Sequence, residues 1–140
     1  PSTEIAPKPS DILYPYDEEE DHLVVCEGPL DARSLQLQGV NATATIGSSI
    51  SPRQAEILST FEGEIILGYD NDEAGKRGIS KFDRTRKEKR MTGFEICPPP
   101  SGYKDWNEAH VDGENLAQWI MEKTVAYDFE YKLSSELNFE

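Results

Sequence analysis

The segment GYDNDEAGKRG, residues 68–78, places Asp70, Asp72 and Glu73 within four positions, directly after the apolar run EIIL. Carboxylates crowded at the end of a buried strand repel one another unless a cation lies among them. Two other points along the chain have the same character. Glu27, followed by Gly28 and Asp31, closes the run HLVVC, and Asp105 stands in KDWNEA, after the rigid loop PPPSG. Oxygen donors without histidine or cysteine suit Mg²⁺ or Mn²⁺, which take a few carboxylates together with waters and substrate phosphates. The neighbouring residues suit phosphate. Gly28 permits close backbone approach, Gly47 and Ser48 in GSSIS offer backbone donors and a hydroxyl, and Gly75 at a helix start leaves N–H groups for an anion. Lys76 and Arg77 would then stand beside a phosphodiester held by the metal.

These residues act together only if the fold gathers them. HLVVCE, NATATI, EIILGY and MTGFEIC read as strands by apolar content or alternation. Between them PLDARSLQLQ has Pro29 suited to a first helical turn, Gly39 to a stop, and Leu30, Leu35 and Leu37 near helical spacing. SPRQAEILSTF starts with Ser51 as N-cap and Pro52 at the first position. Glu73 to about Lys89 forms a long basic helix, KDWNEA a loop, and GENLAQWIMEKTV a helix carrying Leu116, Trp119 and Ile120. Strands alternating with helices predict an α/β fold, a mostly parallel central sheet of about four strands with helices on both faces. In such folds ligands bind beyond the carboxyl ends of the strands, so the three acidic points share one edge.

Composition limits the remaining possibilities. A chain of 140 residues with no disulfide framework is large enough for a real core, and Cys26 and Cys97 lack a Cys or His at zinc-ligand spacing. Both read as reduced core thiols, which points to a cytoplasmic compartment. No stretch approaches the roughly 20 apolar residues of a membrane span. The net charge of −13 argues against a polyanion partner, yet eight of the fourteen basic residues fall between Lys76 and Arg90, a stripe suited either to phosphate or to a solvated helix face. Three units follow: an acidic, proline-rich linker or lightly docked arm over 1–21, a folded domain over 22–126, and an aromatic tail over 127–140.

The motifs VVCEGPLDA, ATIGSSIS, IILGYDNDEAGKRG and KDWNEA together resemble the Toprim family, the catalytic module of bacterial-type and phage DNA primases, topoisomerases and some nucleases. DNDEAGKRG and KDWN are most similar to the primase branch. That resemblance implies a Toprim (Rossmann-like) fold and Mg²⁺-dependent nucleotidyl transfer that makes RNA primers. It implies Glu27, Asp70 and Asp72 as catalytic acids, these three with Asp31 and Asp105 as metal ligands, and Gly28, Gly47, Ser48, Gly75, Lys76, Arg77 and Lys104 as nucleotide or phosphate contacts. The expected partners are single-stranded DNA template, ribonucleoside triphosphates, and a helicase, another replication protein or further primase domains, in a bacterial or phage-infected cytosol. The chain is expected to be a fragment or to depend on a partner. A Toprim nuclease using the same acids, and a non-catalytic nucleotide- or partner-binding module, are the alternatives.

Overall fold

The computed structural model describes residues 12–47 and 49–128. Ser48 and most of the aromatic tail, 129–140, lie outside the described residues, as do positions 1–11 of the arm. The elements in chain order are β1 (His22–Cys26), α1 (Pro29–Leu37), β2 (Ala42–Ala44), α2 (Pro52–Leu58), β3 (Glu64–Leu67), α3 (Glu73–Glu88), β4 (Glu95–Ile96), α4 (Trp106–Val111), α5 (Leu116–Lys123) and β5 (Val125–Ala126). The sheet runs β2-β1-β3-β4-β5, with the first four strands parallel and β5 antiparallel at the edge. The expected mostly parallel α/β sheet is therefore present, with five strands rather than about four. The extra strand follows α5 directly, and its two exposed residues, Val125 and Ala126, are too short a run to show the alternation of a strand.

Burial explains why β1 reads as a continuous apolar run. Successive side chains of a strand point to opposite faces, and here both faces are covered. Leu23 and Val25 join Ile65, Leu67 and Ile96 under α2 and α3, where Leu58, Ile79 and Phe82 close the layer. Val24, Cys26 and Ile66 face the other way, onto Ala32 and Leu35 of α1, Trp106 and Ala109 of α4, and Leu116 of α5.

Two readings of local sequence change. In α1 the buried side is Asp31, Ala32, Ser34 and Leu35, whereas Leu30 and Leu37 are exposed, because the helix packs its small side against α4. KDWNEA is not a loop: Asp105 caps α4, its Oδ1 accepting the Glu108 N–H at 2.8 Å. The described part of the arm also packs against the sheet. Tyr14 donates its N–H to the Ala44 carbonyl and its own carbonyl accepts the Thr43 hydroxyl, so this segment lies along β2, at an edge that would otherwise expose unpaired backbone.

Candidate active site: acids at the switch point of the sheet

Strand order reverses at β1, since β2 lies on one side of it and β3 on the other. The crevice beyond the carboxyl ends of β1 and β3 is thus the topological switch point. Glu27 leaves β1 and Asp70 follows β3 by three residues; Glu27 Oε1 accepts the Asp70 backbone N–H at 3.1 Å, joining the two strand ends. Asp72 caps α3, its Oδ1 accepting the Gly75 N–H at 2.7 Å. Asp31, in the first turn of α1, is almost buried, and its Oδ1 accepts the Asn107 N–H at 3.0 Å. Each of the five acids thus either ties backbone or answers to its neighbours' charge: Asp72 and Asp105 hold backbone three residues on, Glu27 and Asp31 hold backbone distant in sequence, and each of these four commits one oxygen to that bond.

The charges share one field. Burial, then Glu27, Asp31, Asp72 and Asp105, push the Asp70 carboxyl up to about 7. Burial likewise pushes Asp31 up to about 6; the Asn107 N–H pulls it down, Asp105 and Glu27 push it up, and the Lys104 ammonium pulls it down. Acids from three loops far apart in sequence therefore meet electrostatically. Their packing is loose, however. The three-residue group whose ligand atoms all lie within 4.8 Å of one another lies elsewhere among the described residues, at His22, Glu64 and Glu95. An all-oxygen set that does not close on itself fits a cation that keeps waters and takes substrate phosphate, as Mg²⁺ does.

Several assignments of phosphate contacts change. Gly75 is buried and its N–H is held by Asp72, so it does not offer that donor to an anion. Its glycine character has another cause: a Cβ there would lie 1.7 Å from the Asp70 carbonyl oxygen. The Gly47 N–H is held by the Glu27 carbonyl at 3.0 Å. At Gly28 an added Cβ would meet nothing nearer than Asp31 Oδ2 at 3.8 Å, so close approach does not demand glycine there. Arg77 is exposed and lies 3.9 Å from Glu73, and Lys76 follows at the same end of α3, with its N–H on the Asp72 carbonyl. Lys104 is exposed, near enough for its charge to act on Asp31. In the basic stripe, Arg86 and Lys87 pair with the buried Asp83, and Arg86 lies over Phe94, so those two cations serve the fold.

Two residues that hold the site have no carboxylate and were not singled out. Trp106 is fully buried and donates its Nε1–H to the Gly68 carbonyl at 2.8 Å, fixing the turn into Asp70. Asn107 presents its N–H to Asp31 and its Oδ1 to the Ser34 hydroxyl. Their signal was present as the W and N directly after Asp105 in KDWNEA.

The raised carboxyls fix a pH dependence for the metal-free chain. Asp31 and Asp70 hold protons in the folded state at pH values where the unfolded chain has released them. Their contribution is fully present below about pH 4, the ordinary Asp range. It is lost as pH rises toward the folded values of about 6 and about 7. Urea midpoints from pH 4.5 to 7.5 are expected to fall for the wild type and to fall less for Asp70→Asn; equal slopes would show that Asp70 does not feel its neighbours.

The chain is similar to known proteins in sequence and in fold. A model of the Toprim-like family matches residues 24–110. The DNA primase of Helicobacter pylori (strain J99) is 35% identical over 128 residues, covering 86% of this chain and 23% of that protein. The chain thus spans about a quarter of the length of this relative. Among solved structures, the Escherichia coli primase catalytic core superposes with a TM-score of 0.74 at 22% identity, covering all of this chain and 47% of that one. A DnaG primase catalytic domain bound to ssDNA gives 0.69 at 22% identity, covering 85% of this chain and 40% of that one.

Proposed function

Because the chain belongs to the Toprim-like family and is a Toprim domain of the bacterial DNA primase type, we propose that it carries the metal-dependent nucleotidyl-transfer centre of an enzyme that lays RNA primers on single-stranded DNA. The observation that carries this reading is the tie between Glu27 and the Asp70 N–H at the switch point, with five carboxylates acting on one another around it. A bound Mg²⁺ would neutralise triphosphate charge, polarise the α-phosphorus toward attack by a ribonucleotide 3′-hydroxyl and stabilise the leaving pyrophosphate.

The chain's own residues do the positioning. Asp70 and Asp72 are the ligands best placed for the ion, with Asp72 Oδ1 already fixed on Gly75 so that Oδ2 is the available donor. Glu27 orients the Asp70 backbone through Oε1, and its other oxygen is the group that would take up a proton or help hold the ion. Asp31 and Asp105 supply further negative charge, and Lys104 balances it from the rim. The N-terminus of α3, with Lys76 and Arg77, is the surface for substrate phosphate, since the helix dipole and two cations act there together. Exposed Lys81 and Arg84 on α3, with Lys89 and Arg90 just past its end, continue that surface for a template strand. The relative solved with ssDNA supports that choice of polyanion.

A Mg²⁺ and Mn²⁺ titration by calorimetry, on wild type and on a Glu27→Gln/Asp70→Asn double variant, with and without a ribonucleoside triphosphate, tests the reading. Wild type is expected to bind at millimolar metal, nucleotide to tighten the binding, and the double variant to lose it. Mg²⁺ binding that survives in the double variant, or a nucleotide with no effect on Mg²⁺ binding, would remove the nucleotidyl-transfer assignment. Incubation of the metal-loaded chain with labelled single-stranded DNA separates the nuclease alternative, which alone yields shortened strands.

A further inference from the structure

We infer that His22, Glu64 and Glu95 form a second metal site, for a divalent ion of the Zn²⁺ class, at the opposite edge of the sheet from the acidic cluster. The three residues come from three adjacent strands and share one face. His22 pairs with Glu64 in the β1–β3 register, and Glu95 pairs with Ile66, two residues after Glu64 on the same side of β3. A ligand atom from each lies within 4.8 Å of the other two, and His22 Nε2 is 3.5 Å from Glu64 Oε2. Two ligands on one tetrahedral Zn²⁺, each about 2.0–2.1 Å from the metal, are separated by about 3.4 Å. The His22–Glu64 pair already has that spacing, and a Glu95 carboxylate oxygen lies within 4.8 Å of both.

The imidazole distinguishes this group from an ordinary acidic patch. One neutral nitrogen with two carboxylate oxygens is a donor set for Zn²⁺ or a similar transition ion, and a poor one for Mg²⁺. Two glutamates on one face of neighbouring strands repel, and a doubly charged cation removes that cost. The site also has room for a further ligand: it opens on a cleft of about 440 Å³ between the sheet and α5, which Glu20 lines as well. His22 begins β1 and Glu27 follows its end, so the two sites lie roughly 16 Å apart along the strand. The ion would clamp the amino ends of β1, β3 and β4, whereas the candidate active site lies at their carboxyl ends.

The test is a ZnCl₂ titration of the full chain by calorimetry and thermal unfolding, in the Glu27→Gln/Asp70→Asn background so that the acidic cluster cannot hold the ion. One equivalent is expected to bind and to raise Tm, and the His22 ring proton resonances are expected to shift. His22→Ala and Glu64→Gln are each expected to abolish the binding and the rise in Tm. Both side chains are more than half exposed, so neither change disturbs the core; far-UV circular dichroism checks this, and His22→Gln serves should His22→Ala misfold. The inference is overturned by the absence of a one-equivalent site in that background, or by equal affinity after loss of His22.

Discussion

Replacing Trp106 by alanine is expected to destabilise the chain by about 3–5 kcal/mol, the usual cost of deleting a large buried aromatic side chain. The indole is fully buried between α4 and the sheet, in the cluster with Val24, Cys26 and Ile66. Its Nε1–H holds the Gly68 carbonyl, and Gly68 lies so close that an added Cβ would meet Trp106 Nε1 at 2.9 Å. Removal leaves both a cavity and an unpaired carbonyl two residues before Asp70. Trp106→Phe keeps most of the volume and removes the donor, so it isolates the hydrogen bond at about 1–2 kcal/mol. Urea unfolding of the two variants measures both quantities. A loss below about 1 kcal/mol for the alanine variant would mean that α4 does not anchor the strand end.

Gly75→Ala is expected to abolish the Mg²⁺ response while the chain still folds. Within a helix, alanine ordinarily stabilises relative to glycine by about 1 kcal/mol. Here the new Cβ would overlap the Asp70 carbonyl oxygen at 1.7 Å, and the nearest atoms are all backbone, so no side chain can rotate away. Forced overpacking costs typically 1–3 kcal/mol, which reverses the sign and displaces the loop that carries Asp70 and Asp72. Gly28→Ala is the control, because its Cβ has space. Thermal shift with and without Mg²⁺ reads the outcome. A Gly75→Ala chain that responds to Mg²⁺ like wild type would show that the Asp70 loop does not need this packing.

The acids themselves were legible because their signal is local. Glu27 directly after HLVVC, and Asp70 and Asp72 directly after EIIL and its Gly-Tyr turn, stand at the ends of apolar runs whose burial on both faces follows from a parallel sheet. Helix starts were equally readable at Pro29 and at Ser51, whose capping box with Gln54 is present. The face that each helix buries was less so: α1 turns Leu30 and Leu37 outward because α4 requires a close approach along Ala32 and Leu35, and the spacing of leucines carries no information about that neighbour.

What the sequence by itself determined about this protein is the alternation of strands and helices, the family, and the set of carboxylates at three strand ends. Tertiary structure alone decided how those groups are held. The Gly75 constraint arises from a backbone oxygen five residues earlier, the Asp31 carboxylate is fixed by an N–H 76 positions away, and the indole of Trp106 reaches across 38 positions to Gly68. His22, Glu64 and Glu95 likewise show no ligand spacing along the chain. In a parallel sheet, adjacent strands are joined by long crossovers, so residues that meet side by side are necessarily distant in sequence.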